Sequence, residues 1–411
     1  MSSGAGMGLL LIVVAPVIWA LPIAFLTAEL SSAIPEEGGY YIWVKRALGP
    51  GAGFLCTWLM LLYTRFDLAI YPVLFINYLK YYPFASALQD PLYAFLATMA
   101  MIIPLTWLNI TGSRAVSHTS VLFSIMLLVP FIIMIAMGLH NFLDNPSKAL
   151  HPFIPEGENI ATAFSSGFYI VMWNYIGWDA MSTISGEVEK PQKIFPPAIF
   201  ISLVMIFLSY FLPVLVGLSV LPDTSKWTEG SWPAIARLIG GDALADSIAF
   251  CGLVSCCGLF VTGMFTSSRI PVILANDNLV SPIYKKLHPR YGTPWVAIIL
   301  SGVILSVMSL IKFDKLAEFD VIFYSLGLLI ELAALLMLRI KEPDLIRPFK
   351  IPGGKIGLFM TIFFPVLLIM LVLFDMLHEK KIWAPAVMLA ALLSGIVIWQ
   401  FVKKKHYRGR W

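Results

Sequence analysis

Residues 164–197, FSSGFYIVMWNYIGWDAMSTISGEVEKPQKIFPP, begin as a membrane span and then stop behaving like one. The run 168–173 is apolar and aromatic. Asn174, Gly177 and Asp179 then fall near mid-span, followed by Ser182, Thr183, Ser185 and Gly186 and by the charges of Glu187, Glu189 and Lys190. A carboxylate at bilayer depth is costly, and such groups face protein or water and mark functional sites. Glycine beside polar residues lets a spanning helix break, leaving backbone groups free for a bound solute. The segment therefore reads as a broken helix with Asp179 at the break. The plainer alternative is an unbroken helix in which Asp179 pairs with a neighbour for structure.

Working outward, the whole chain has the composition of a bilayer protein. Of its 411 residues 59% are hydrophobic and 13% charged, with mean hydropathy +0.84, whereas soluble domains carry about 25% charged residues. Apolar runs long enough to cross a membrane recur along the entire length. Eleven spans are expected, near 8–33, 54–80, 91–110, 119–140, 164–185, 197–220, 244–275, 294–312, 317–339, 356–377 and 383–402. The fold class is all-α and polytopic, and no linker divides residues 1–411 into separate domains. Prolines 16, 22, 72, 130 and 213 sit within spans and permit kinks. The stretch 228–241, TEGSWPAIARLIGG, has apolar residues at helical spacing and is expected on the outer surface.

Lysine and arginine give the orientation. One set of alternate connections, with the tail 403–411, holds eighteen of the 28 basic residues, including Lys45, Arg46, Arg339 and Lys341. The other set holds eight, among them Lys80, Lys148, Lys226, Arg237 and Lys315. The positive-inside rule makes the richer set cytoplasmic and the tail 403–411 a cytoplasmic anchor at the lipid headgroups. Eleven spans with the tail inside put Met1 outside, although residues 1–16 lack the features of a cleaved signal peptide. Cys56, Cys251, Cys256 and Cys257 lie in apolar spans without metal-ligand or CxxC spacing and read as small core residues. No phosphate-cradling loop, catalytic triad, metal cluster or nucleic-acid signature is present, so no enzyme activity and no cofactor is expected.

Five stretches resemble the amino acid–polyamine–organocation transporters, in the branch of polyamine and L-type amino acid permeases. They are 28–49 (AELSSAIPEEGGYYIWVKRALG), 66–79 (FDLAIYPVLFINYL), GWDAMSTISGEVEKPQKIFPPA within the opening stretch, 268–294 (SRIPVILANDNLVSPIYKKLHPRYGTP) and 338–352 (LRIKEPDLIRPFKIP). The resemblance implies twelve spans, ten of them in two inverted five-helix repeats whose broken first and sixth helices meet at the substrate. In that frame residues 8–140 are the remainder of the first repeat, 164–339 the second repeat and 356–402 two additional spans. The family's first helix would precede residue 8 and is not represented, which fits the outside placement of Met1.

The resemblance also assigns roles. Asp179 matches the acidic position that family members use for substrate contact or proton exchange, and is placed to gain and lose a proton as the site opens. Trp173, Asn174, Tyr175, Ile176, Gly177 and Trp178 line the same break, where aromatic faces can cover a cation; each could instead be lipid-facing or packed. Asp67 stands where the corresponding span contacts substrate, and would favour an amine; an interhelical ion pair is the alternative. Arg65, two residues away, does not share its helix face. Ser255 and Thr262 in the seventh span are candidates for ion coupling, though hydroxyls also serve helix packing. Some polyamine members carry a glutamate in that span, where this chain has Thr262 and Gly263. Glu29, Glu36, Glu37, Glu187 and Glu189 are expected to make gate or loop contacts with Lys45, Arg46 and their neighbours.

The function expected is secondary active transport of amino acids or polyamines by alternating access in the cell membrane, coupled to H⁺ or Na⁺ as symport or exchange. A non-transporting truncated paralogue, sensor or partner subunit on the same scaffold is the alternative, and a passive channel a third possibility.

Overall fold

In the computed structural model, Gly49 closes one helix and Pro50 opens the next, the asymmetry expected of glycine after a helix end and proline at a first turn. The structure describes residues 3–228, 230–378 and 383–408; the side chains of 113–115, 165, 166, 178, 186, 375–378 and 404–408 lie outside that description. Among the described residues every regular element is helical.

The chain begins with α1 (Ala5–Ala15) and α2 (Leu21–Ala33), joined through a π-helical turn at Pro16–Ala20 into one spanning rod. Proline at residue 16 withholds an N–H from the ladder, and the wider turn absorbs the loss. There follow the short α3 (Tyr40–Leu48), α4 (Pro50–Leu79), α5 (Pro91–Ile110), α6 (Ser113–Asp144) and α7 (Ile160–Asn174). The Asp90 and Asn159 side chains cap α5 and α7 by accepting from the N–H groups of Leu92 and Thr162, at 2.8 and 2.9 Å. A 3₁₀ segment, Trp178–Glu187, leads to α8 (Pro191–Val220), α9 (Trp232–Ser267), α10 (Ile270–Asn276), α11 (Trp295–Met308), α12 (Phe313–Lys341), α13 (Gly354–His378) and α14 (Trp383–Arg408). The tail expected at 403–411 lies largely outside the described residues.

Among the described residues, nine of these helices or helix pairs are long and apolar enough to cross a membrane. The other two of the eleven expected spans are shorter. α7 stops at Asn174 instead of running on to residue 185, and α11 is 14 residues long. Residues 232–241 of the expected surface stretch form the first turns of α9, which bends at Gly240 and Gly241 before entering its spanning part.

Burial sorts the helices. In α12, 72% of the central window is buried, against 11% in α6 and in α14. The outer helices present Ile103, Trp107, Ile132 and Leu393 outward, the apolar exterior that lipid requires. α12 packs most closely on α4, α9 on α6, and α4 on α9. The central pair α4/α12 is antiparallel, with Tyr63 against Tyr324 (centroids 5.0 Å) and Phe66 against Phe319 and Phe323 (4.9 and 5.3 Å).

Ion pairs gather at the end carrying Lys45 and Arg339. Glu29, wholly buried, accepts two bonds from Arg339 (2.6 and 2.5 Å) and one from the Ile351 N–H at 2.8 Å, with Arg347 at 3.2 Å. Arg46 forks onto Glu342, Arg269 bonds Glu187 at 2.8 Å, and Lys45 meets Asp277. This corrects the expectation that Lys45 and Arg46 serve the acids of the first loop: their partners come from α10's C-terminal edge and the end of α12, residues that only folding brings near.

Candidate functional site

The break in the decisive segment spans Tyr175 to Gly177. The Tyr175 N–H closes onto Met172 O at 2.9 Å, a tight turn that ends α7. Gly177 then takes φ +92°, left-handed backbone that glycine adopts without strain. Beyond it the hydroxyls bond back to the chain: Thr183 Oγ1 donates to Ala180 O and Ser185 Oγ to Ser182 O, both at 2.7 Å. Such local bonds compete with a regular helix, and the segment stays 3₁₀.

Asp179 opens that segment, 5% exposed. Its Oδ2 accepts from the Tyr324 hydroxyl of α12 at 3.2 Å, while Oδ1 is buried with no hydrogen-bond partner among the described residues. The Tyr63 hydroxyl of α4 lies directly over Gly177. Asp179 thus sits where the broken segment faces the α4/α12 pair.

The end of α7 at Trp173, Asn174 and Tyr175 borders a cavity of about 760 Å³, lined also by Tyr210, Trp227, Trp232 and Asp314, at the end carrying Lys80. Trp173 stands edge-on to Phe313 (5.8 Å), and Tyr175 contacts Tyr210 (5.8 Å) and donates to Ile12 O at 3.5 Å. Ile176 packs into the main core. The Trp178 side chain lies outside the described residues. A second hollow of about 530 Å³, between Trp107, Lys286, His288 and Trp295, touches none of these groups.

Below Asp179 the path is closed. The Gly38 N–H donates to Thr183 O at 3.2 Å, and Gly39 presses on Ser182 so tightly that a Cβ there would fall 2.3 Å from Ser182 Oγ. The first loop therefore plugs the end that carries Lys45 and Arg339.

Asp67, half-buried on α4, accepts from Tyr71 Oη at 2.9 Å, so an interhelical ion pair is not its arrangement here. The two hydroxyl candidates of α9 do not reach the break. Thr262 is exposed, bonding Gly258 O at 2.9 Å and Ser120 of α6 at 3.2 Å, and Ser255 lies two turns further along. It is Thr266, one turn on, whose carbonyl takes a bond from Thr183 Oγ1, at 3.4 Å.

Two carboxylates escape the sequence reading altogether. Asp320 and Glu331 of α12 are buried to 0% and 1% exposure, with both oxygens of Asp320 and one of Glu331 unpartnered. Asp320, Tyr324, Gly327 and Glu331 recur at helical spacing on the face of α12 turned to α4, where Cys56 Sγ reaches Gly327 O at 3.8 Å. That spacing inside an apolar run is the signal from which both acids could have been found.

The amino acid permease family profile matches residues 1–398. The chain is similar to the polyamine transporter RMV1 of Arabidopsis thaliana, 31% identical over 97% of this chain and 79% of that protein. It is similar to the polyamine transporter PUT1 of Oryza sativa subsp. japonica, 32% identical over 99% of this chain and 75% of the relative. The branched-chain amino acid permease BcaP of Bacillus subtilis is 25% identical over 98% of this chain and 87% of its own length.

Proposed function

The chain belongs to the amino acid permease family, and we propose that it is a secondary transporter working by alternating access, with linear amines, the polyamines first, as its substrates. One observation carries the reading. A buried carboxylate with a free oxygen, Asp179, stands at a helix break between an open cavity and a closed end. A substrate ammonium entering from the cavity satisfies that oxygen, and the aromatic walls at Trp173, Trp227 and Trp232 suit a cation on its way in. The plant relatives named as polyamine transporters support this choice over neutral amino acids and over a non-transporting role.

A second reading, transport of an amino acid, is favoured by the helix break at Tyr175 to Gly177, the kind of discontinuity at which transporters hold a zwitterion, and by the more distant branched-chain permease. In either case the Lys45/Arg339 end faces the cytoplasm by the positive-inside rule, and the cell membrane is the site of action.

Uptake into proteoliposomes tests the proposal. Saturable accumulation of labelled putrescine or spermidine under an imposed proton gradient, exceeding that of leucine, is expected. Linear, unsaturable flux of every solute would overturn it. If Asp179 carries the coupled proton, Asp179→Asn loses accumulation and keeps exchange; full accumulation by that variant rejects the coupling role.

A further inference from the structure

We propose that Asp320 of α12 and Asp67 of α4 form a second ammonium-binding subsite, one helical turn nearer the cavity than Asp179, so that the site holds both ends of a linear diamine. The inference rests on the transporter reading above and adds to it a two-point substrate.

The register of the central helices places the two carboxylates together. Tyr63 meets Tyr324 and Phe66 meets Phe319 and Phe323 along antiparallel axes, which sets Asp67 opposite Asp320, and the two charges are electrostatic neighbours. Asp320 is fully buried, and neither of its oxygens finds a donor. Asp67 has its tyrosine bond and keeps partial exposure within the bundle. The neighbouring Tyr169 hydroxyl is likewise buried without a partner. Arg65, the basic residue of α4, has Tyr40 and Tyr284 as its electrostatic neighbours, and its Nη1 is buried without a partner among the described residues.

A buried charge left unpaired is far costlier than a buried pair, so a pair of facing carboxylates with three open acceptor positions is a site for a positive group. A metal ion would be expected to gather more oxygen ligands around it. An ammonium needs only two or three acceptors, and the Asp67, Asp320 and Tyr169 oxygens provide them. Tyr324, which holds Asp179, follows Asp320 by four residues, about 6 Å along the helix. Two amines separated by four carbons, five zig-zag bonds of about 1.5 Å, span about 6 Å. The rise between the two positions on α12 is of that order, so a 1,4-diamine is the first candidate, with one ammonium on Asp67/Asp320 and the other on Asp179.

The test is uptake of labelled putrescine in proteoliposomes, competed by straight-chain diamines of three to eight carbons and by butylamine. For the unaltered chain, competition should peak at four carbons and exceed that of butylamine at least tenfold. Asp320→Asn should raise the putrescine KM at least tenfold while leaving inhibition by butylamine within about twofold. Because it removes an unpartnered buried charge, Asp320→Asn should also melt no lower than the parent without substrate, yet lose the stabilisation putrescine gives the parent. A structural role predicts the opposite, a lower melting temperature with putrescine stabilisation intact, and Asp320→Ser serves as the second variant. Competition that is flat with chain length, or an unchanged putrescine KM in either variant, overturns the subsite and leaves the transporter reading standing. If the parent takes up leucine and no diamine, the subsite is wrong and the amino acid reading holds. Absence of saturable uptake of any of these solutes would sink the transporter reading itself.

Discussion

Gly177 holds left-handed backbone at φ +92°, and a methyl carbon added to it would lie 2.8 Å from the Tyr63 hydroxyl. A side chain there pays in backbone strain of about 1–3 kcal/mol and displaces an aromatic wall of the site. Gly177→Ala is expected to lower the melting temperature by several degrees and to reduce transport more than tenfold, read by melting in detergent and by proteoliposome uptake. The Tyr324 hydroxyl donates to Asp179 Oδ2 across the bundle. Tyr324→Phe keeps the ring against Tyr63 and leaves that oxygen without its donor, a loss of about 1–3 kcal/mol for a buried polar group. Its transport KM should shift about tenfold with little change in expression; an unchanged KM would show that Asp179 needs no such positioning.

Between elements, charge at the Lys45 end divides into buried and exposed pairs with different weights. Glu29 joins α2 to Arg339 on α12 and to Arg347 beyond it, with side-chain exposures of 0%, 15% and 5%. Removing one member strands the others, and Glu29→Gln is expected to destabilise by about 3–5 kcal/mol, seen as a large drop in melting temperature. Arg46 and Glu342 are about a third exposed, and that pair is worth less than about 1 kcal/mol. Bonding from Arg46 holds the Glu342 carboxyl below its ordinary range. A carboxylate lowered by folding stabilises fully at pH above its unfolded value and loses that contribution as pH falls through the folded one. The small melting difference between the parent and Arg46→Gln should therefore be present at pH 7 and vanish on acidification below the usual carboxylate range. A difference that grew on acidification would contradict this linkage.

At the scale of the molecule, a cavity at the Lys80 end and a plug at the Lys45 end make a path open on one side only. Alternating access requires the plug of Gly38 and Gly39 on Ser182 and Thr183 to release. In a background without the four native cysteines, Ser182→Cys should resist a membrane-impermeant thiol reagent applied at the Lys45 end and become labelled when substrate is turning over. Labelling that is fast from that side without substrate would exclude the plug as a gate. The pairings of α4 with α12 and of α9 with α6 exchange under a swap of chain halves, which supports the proposed inverted repeats at 8–140 and 164–339.

The sequence by itself determined whatever is local. Composition and run length decide a helical membrane bundle, and the WNYIGWDA pattern at 173–180 marks where a helix must end, because Gly177 takes left-handed backbone and the Thr183 and Ser185 hydroxyls that follow bond their own chain. The site that uses this break was decided only by tertiary structure. Thr262 sits in the right span but on an exposed face beside Ser120 of α6, since packing sets the rotation of α9 about its axis. Lys45 finds Asp277 and Glu29 finds Arg339 across most of the chain. Asp320 looks like one more polar interruption of an apolar run until α4 brings Asp67 against it. A buried charge takes its meaning from its partners, and the partners are chosen by which helices lie side by side.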